Sequence, residues 1–171
     1  MPESSLASYA SKLEEHPEHV RAIGMLTIEI AALERLLANL LAAILTTNVD
    51  VAEAIYLSPK GNRARIDILA NVAKVRLKSH PRLLKQVEKI ISRSRGVIDK
   101  RHEIVHSEWR VHPQTGTVMM GKLSGSGRKL EPFPSAKIAR VIDDTRKLIV
   151  ESVNLVGPLE AALRPSGKKS T

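Results

Sequence analysis

The chain has 171 residues, no cysteine, 2% aromatic residues and a formal net charge of +9. The lack of cysteine excludes disulfides, thiolate nucleophiles and cysteine-based zinc or iron–sulfur sites. The length predicts one domain, residues 1–163, followed by a disordered basic tail at residues 164–171. Because aromatic side chains are so few, aliphatic residues must fill the core, which favours helices packed on helices.

No segment has the character of a signal peptide or a membrane span. Residues 1–15 carry acidic side chains and no apolar core, unlike a secretory signal. The longest apolar run, residues 36–45, is interrupted by Asn39 and is shorter than the ~20 residues that cross a bilayer. We therefore expect a cytoplasmic protein without a membrane partner.

Four helices are predicted in the first two thirds of the chain. Aliphatic residues recur at spacings of three and four, which predicts a long amphipathic helix over residues 18–46. A short helix capped by Asn48 or Asp50 follows, and then a third helix after a turn at residues 58–62. Pro81 belongs to the start signal of a fourth helix that ends near residue 106.

A small β-hairpin is predicted between the fourth helix and the last one. Its strands are residues 109–111 and 117–123, joined by a turn that contains Pro and Gly. Residues 121–127 are predicted as a flexible loop, and Ser135 as the N-cap of the final long helix. The predicted fold class is therefore all-α, a helical bundle of four or five main helices with a small β-hairpin before the last helix.

The end of the fourth helix concentrates side chains that carry chemistry, namely Arg101, His102 and His106. An arginine followed by a polar residue, with a histidine after four intervening residues at a helix end, resembles the signature of the HEPN superfamily of all-α domains. His102 fills the polar position. The resemblance implies a metal-independent endoribonuclease of a toxin or defence system, which leaves 2′,3′-cyclic phosphate ends and often acts as a dimer.

Each of these three residues has a role in such a reaction. His106 carries an imidazole, the side chain best suited to act as an acid or base at neutral pH. Arg101 offers a planar, permanently charged fork that suits phosphate oxygens. His102 lies one turn before His106 on the same face and is expected to orient the substrate or the second imidazole. We therefore assign Arg101, His106 and His102 as catalytic, without a metal or other cofactor.

A basic segment leads into this cluster and points to RNA as the partner. Residues 60–110 contain fourteen Lys or Arg and five Asp or Glu, which accounts for the whole net charge. Within it, Arg95, Lys100, Asp99 and Trp109 are the candidate substrate-binding residues. For Asp99 the simpler interpretation is a surface pair with His102, and for Trp109 it is a core residue that covers the helix end.

The spacing of Arg101 and His106 restricts how they can act together. Residues five apart on a straight helix point about 140° away from each other, at about 100° per residue. The two side chains grip one phosphate only if the helix unwinds near His106 or if two chains share the site. A homodimer is therefore expected, and a helix seam that carries Ser94 and Arg101 would suit a two-fold interface. A toxin would also have an antitoxin protein as partner.

Two other functions remain open at this point. The first is a catalytically inactive HEPN-type interaction or dimerisation module, in which Arg101 and His106 hold the helix end and the dimer together. The second is a zinc metallopeptidase, because His102, Glu103 and His106 match the helical zinc motif and His112 has the spacing of a third ligand. Against zinc stand the charged flanks of the motif, Trp109 where a glycine is needed, and the lack of a sheet ahead of the helix.

Overall fold

The computed structural model describes residues 13–124 and 127–164, which form five helices and a small sheet. The elements in chain order are a short 3-10 helix (Leu13–Glu15), α1 (Pro17–Leu45), α2 (Val49–Leu57), α3 (Asn62–Arg76), α4 (Pro81–His106), β1 (Glu108–Val111), β2 (Val118–Ser124), β3 (Gly127–Pro132) and α5 (Ser135–Leu163). The predicted all-α fold with a small β element before the last helix is confirmed. Residues 165–171 of the predicted tail lie outside the described residues.

Within the part of the chain that is described, no helix is both long and apolar enough to cross a bilayer. The chain divides into two compact units. The first comprises Met1–Glu29 and Asp99–Asp144, and the second comprises Ile30–Ile98 and Thr145–Thr171. Helices α1, α4 and α5 each contribute residues to both units, so each unit is built from segments that are distant in sequence.

The first unit contains an antiparallel sheet with the strand order β1-β2-β3. The register pairs Glu108 with Gly121, and β2 then continues to Ser124 and pairs with β3. The predicted loop at residues 121–127 was therefore wrong in part, because β2 extends into it and a third strand follows. Residues 127–132 include Gly, Lys, Glu and Pro, which are depleted in strands. The backbone of β2 supplies the pairing that the local sequence does not indicate.

The second unit is held together by aliphatic side chains, as the composition predicts. Its fully buried residues include Leu33, Leu37, Leu40, Leu41, Ile44, Tyr56, Ile66, Leu69 and Leu77. Burial raises the pKa of the Tyr56 hydroxyl above its ordinary value, and the nearby Glu34 carboxylate raises it further. Aliphatic side chains therefore form most of this core, and Tyr56 is the one aromatic residue among the fully buried residues just named.

Ser94 corrects one expectation about the fourth helix. Its side chain is completely buried within the second unit, and its hydroxyl donates to the Ile90 carbonyl at 2.8 Å. A serine can be buried in a helix because the carbonyl four residues earlier accepts its proton. Ser94 is therefore a core residue, and the predicted role in a two-fold interface was wrong for it.

The turn between α1 and α2 has well-defined capping at both helix ends. The Thr47 N–H donates to the Ala42 carbonyl and the Thr46 N–H to the Ala43 carbonyl, which is the pattern of a Schellman motif. The predicted N-cap of α2 is confirmed at Asn48, whose side chain accepts a hydrogen bond from the Val51 N–H at 2.8 Å. These bonds satisfy backbone groups that helix ends would otherwise leave unpaired.

Thr46 occupies the left-handed position of this motif with φ 55°, where glycine is usual. A left-handed conformation costs about 1–2 kcal/mol for a residue with a Cβ, and glycine avoids this cost. The greater conformational entropy of glycine in the unfolded state offsets part of the stability that is gained. We expect Thr46→Gly to raise the free energy of unfolding by about 0.5–1 kcal/mol in urea denaturation. Thr47→Gly is the matched control and should destabilise, because Thr47 has no positive φ. Equal effects of the two changes would contradict the prediction.

Candidate functional site

The exposed end of α4 carries two imidazoles in contact. His102 and His106 lie one helical turn apart, both are exposed, and their ring centroids are separated by 4.4 Å with an angle of 47° between the ring planes. Helical residues four apart project from the same face. Neither ring forms a hydrogen bond with another residue in the ranges 13–124 and 127–164. The pair is therefore accessible from solvent for acid–base chemistry.

Arg101, next to His102 in sequence, has a different environment. The residue is half-buried, and its Nε is buried without a hydrogen-bond partner among the described residues. A buried N–H without an acceptor costs about 1–3 kcal/mol. This guanidinium is therefore in a position where an additional acceptor would stabilise it.

The helix end itself is fixed by side chains that follow it. The Ser107 hydroxyl donates to the Glu103 carbonyl at 2.6 Å, and the Trp109 indole Nε1 donates to the Ile104 carbonyl at 3.0 Å. Carbonyls in the last turn of a helix lack partners within the helix. These two bonds supply them, so α4 stays helical through His106. The unwinding that would turn Arg101 and His106 toward one phosphate does not occur in the single chain.

Trp109 is a core residue rather than an open platform for a base. It is 9% exposed, and its ring meets the Phe133 ring edge to face with 5.6 Å between centroids. The His19 ring approaches it from another side at 6.3 Å. Because protein groups surround the indole, the predicted contact of Trp109 with RNA was wrong, and the simpler interpretation as a plug over the helix end fits its position.

The other predicted substrate-binding residues are on the surface. Asp99 and Lys100 are both exposed, and no hydrogen bond joins Asp99 to His102 within the described chain. Arg95 belongs to the second unit, where one of its terminal nitrogens lies 2.5 Å from an Asp67 carboxylate oxygen. Exposed ion pairs of this kind contribute little to stability and exchange readily with other partners. An Arg95 contact with phosphate would therefore require that Asp67 be displaced.

The zinc-peptidase alternative lacks its third ligand. His112 lies between β1 and β2 and accepts a hydrogen bond from the Gln114 N–H through Nδ1. Within residues 13–124 and 127–164, one group of at least three potential metal ligands has its ligand atoms within 4.8 Å of one another. This group does not include His102 or His106. The sheet follows the histidine-bearing helix instead of preceding it. The arrangement does not match a three-ligand catalytic zinc site.

The group of potential metal ligands consists of His16, Glu18 and His19 at the start of α1, and it was not predicted from the sequence. The Glu18 backbone N–H, and then the hydrogen bond from His19, hold the pKa of the Glu18 carboxyl below its ordinary value. Two histidines three residues apart around a glutamate were the available signal. On their own they did not indicate a site, because the contact that orients His19 comes from a residue 114 positions away.

The second unit contains a groove of about 720 Å³ with a mainly apolar lining. It is lined by Leu36, Asn39, Ala42, Ala43, Thr46, Thr47, Val49, Val153, Val156, Gly157, Glu160 and Arg164. The Asn39 Oδ1 is buried without a hydrogen-bond partner among the described residues. This amide is the residue that interrupts the apolar run of α1.

Replacing Asn39 by leucine should stabilise the protein. Leucine has the same branched shape and number of heavy side-chain atoms, and it removes an acceptor that has lost its hydration without gaining a partner. We expect Asn39→Leu to raise the free energy of unfolding by about 1 kcal/mol in urea denaturation. Asn71→Leu, at an exposed position of α3, is the matched control and should change stability by less than about 0.5 kcal/mol. A loss of stability in Asn39→Leu would show that the amide oxygen has a partner in solution.

Comparisons with known proteins return no match. No family model matches the sequence, and no curated protein and no solved structure matches the chain. The resemblance to the HEPN superfamily therefore rests on Arg101, His102 and His106 and on the order of the elements around them.

Proposed function

We propose that this protein is a HEPN-like, metal-independent endoribonuclease that acts as a homodimer within a toxin or defence system. The observation that carries the proposal is the pair of exposed imidazoles, His102 and His106, in contact at the end of α4 and adjacent in sequence to Arg101. Imidazole and guanidinium are the side chains that RNA cleavage without a metal requires.

The chemistry follows from these groups. A base takes the proton of the 2′-hydroxyl, whose oxygen attacks the adjacent phosphorus and forms the 2′,3′-cyclic phosphate. An acid protonates the departing 5′-oxygen, which leaves as a 5′-hydroxyl. His106 acts as the acid or base, His102 orients the reacting groups, and the Arg101 guanidinium stabilises the negative charge that develops on the phosphate oxygens.

The geometry of α4 supports an active site shared between two chains. The helix is continuous to His106, so Arg101 and His106 of one chain point about 140° apart. Arg101 of one protomer and His106 of its partner can face the same phosphate when the two helix ends meet across a two-fold axis. The buried Arg101 Nε without a partner would gain an acceptor in that assembly.

Charge supports RNA as the substrate. Residues 60–110 contain the whole excess of basic side chains, and a polyanion gains affinity from such a segment through the release of its counterions. Lys100 is exposed next to the catalytic residues in sequence. Binding should weaken steeply as the salt concentration rises, because each neutralised phosphate contributes to the salt dependence.

A non-catalytic interaction module is the second candidate, favoured by one observation. The Arg101 Nε is buried, as expected for a guanidinium that supports the helix end or a dimer contact rather than a substrate. In that case Arg101→Ala would destabilise the protein and RNA would remain intact. An antitoxin-like protein partner fits either candidate and is part of the proposal.

The test is incubation of the purified full chain with total RNA in EDTA, with analysis of the cleaved ends. The proposed enzyme yields 2′,3′-cyclic phosphate and 5′-hydroxyl ends when metal ions are chelated. His106→Ala should leave the RNA intact. Intact RNA with both proteins, over a range of substrates and salt concentrations, would favour the non-catalytic module, and cleavage that requires a divalent metal ion would contradict the proposed chemistry.

A further inference from the structure

The start of α1 brings together three side chains that suit a metal ion. The Glu18 Oε1 lies 2.9 Å from the His19 Nδ1 and 3.5 Å from the His16 Nδ1. The ligand atoms of all three residues lie within 4.8 Å of one another. All three belong to the first unit of the chain. None of them belongs to the group at the end of α4 that the proposed nuclease uses.

The contact of the His19 Nε2 with a backbone carbonyl leaves Nδ1 as the nitrogen that can bind a metal ion. The residue is 6% exposed, and its Nε2 lies 3.0 Å from the Phe133 carbonyl oxygen. A carbonyl oxygen only accepts hydrogen bonds, so Nε2 carries the proton. The Nδ1 of the same ring lies 2.9 Å from a Glu18 carboxylate oxygen. A metal ion that takes the place of the proton between these two atoms would be bound by both of them.

The same arrangement recurs around metal-bound histidines in general. A ligating imidazole almost always donates its second N–H to a carboxylate, a carbonyl or water, which fixes the tautomer and the direction of the ring. The Phe133 carbonyl does this for His19. The His19 ring is therefore already oriented for a ligand on its Nδ1 side, because a backbone group from a distant part of the sequence holds its other side.

The distances agree with tetrahedral coordination by zinc. Zinc bonds to imidazole nitrogen and carboxylate oxygen measure about 2.0–2.2 Å, so neighbouring ligand atoms of a tetrahedron lie about 3.3–3.5 Å apart. The observed separation of 3.5 Å lies at the upper end of this range, and that of 2.9 Å lies a few tenths of an ångström below it. The Glu18 side chain is 52% exposed and that of His16 is 22% exposed, so both can shift by a few tenths of an ångström and water can reach a fourth position.

The donor set selects the kind of metal. Two imidazoles and one carboxylate suit zinc and neighbouring first-row transition metals, whereas calcium and magnesium prefer oxygen ligands throughout. The positive end of the α1 dipole opposes a cation at this position. The negative charge of the Glu18 carboxylate offsets that field, and Glu18 lies in the first turn, where an acidic side chain is favourable.

We propose that His16, Glu18 and His19 bind one zinc ion, with a water molecule as the fourth ligand. The ion joins the residue before α1 to the first turn of that helix. Through the His19 ring it also stiffens the contact with Phe133, whose carbonyl precedes α5. The site is structural in this proposal, and nuclease chemistry at the end of α4 does not require it.

The test is metal binding by the full chain after treatment with EDTA and removal of the chelator. Zn²⁺ is titrated by calorimetry, and Co²⁺ is titrated by visible absorption, which reports a tetrahedral environment. Wild type should bind one ion per chain, and Zn²⁺ should raise its melting temperature because it binds the folded state. His16→Ala and Glu18→Gln should each weaken binding by at least about tenfold, since the loss of a group that merely supports a ligand already costs 10–100-fold.

These two variants are chosen because the side chains of His16 and Glu18 are accessible, whereas His19 is buried against the Phe133 carbonyl and its replacement would also disturb packing. His112→Ala is the matched control and should bind zinc as wild type does. The proposal is overturned if wild type binds no Zn²⁺ at micromolar concentrations, or if His16→Ala and Glu18→Gln retain the affinity of wild type. It is also overturned if binding is lost only in the double variant His102→Ala/His106→Ala, because the ion would then sit on the helical histidine pair.

Discussion

We expect His106→Ala to lower the rate of RNA cleavage by about 10²–10⁴-fold, the usual contribution of a positioned acid or base. The side chain is exposed at the end of α4 and forms no hydrogen bond with another described residue. Its removal should therefore leave the fold and the dimer unchanged. The measurement is the initial cleavage rate of a labelled RNA in EDTA, together with the melting temperature and the oligomeric state of each variant.

A matched control for this change is His112→Ala, which removes an exposed imidazole of the β1–β2 turn and should leave the rate unchanged. Arg101→Lys keeps the charge and loses the planar fork, so the rate should fall while the binding of RNA persists. Equal rates for His106→Ala and wild type would exclude His106 from the chemistry. A parallel loss of folding would instead indicate the structural role of the non-catalytic candidate.

Mixing two inactive variants tests whether two chains share the site. When Arg101→Ala and His106→Ala subunits exchange, each mixed dimer regains one site with both functional side chains, supplied by different chains. Half of the dimers are mixed at random exchange, so about a quarter of the wild-type rate should return. A mixture without activity would contradict a site that pairs Arg101 of one chain with His106 of the other.

The second large effect concerns stability. Trp109→Ala should lower the free energy of unfolding by about 3–5 kcal/mol, as is typical when a buried tryptophan is truncated. The indole is 9% exposed, packs edge to face against Phe133 and donates to the Ile104 carbonyl. The change creates a cavity and removes a hydrogen bond from the end of α4. The measurement is denaturation by guanidinium chloride, monitored by circular dichroism.

Two further variants separate the parts of this effect. Trp109→Phe keeps much of the packing and loses only the bond to Ile104, so it should cost about 1–3 kcal/mol. Ile28→Ala is the matched control in the same unit, because Ile28 is 62% exposed, and it should cost less than about 0.5 kcal/mol. A loss below about 1 kcal/mol in Trp109→Ala would contradict the role of the indole as a core residue.

The candidate site was visible in the sequence to the extent that it depends on neighbours along one helix. His102 and His106 are four residues apart, so their contact follows from helix geometry alone. The environment of Trp109 was not visible in the same way, because Phe133 and His19 reach it from other segments. Ser94 was misjudged because its polar side chain is satisfied by its own helix and can be buried there.

The helical architecture follows from local sequence patterns, since the spacing of aliphatic residues and the capping signal at Asn48 are local properties. Contacts between distant segments, by contrast, produce the third strand, the burial of Trp109 and the contact of His19 with the Phe133 carbonyl. The two groups of features differ in the range of the interactions that produce them. Helix periodicity and caps act over a few residues, whereas these contacts join segments that only folding brings within hydrogen-bond distance.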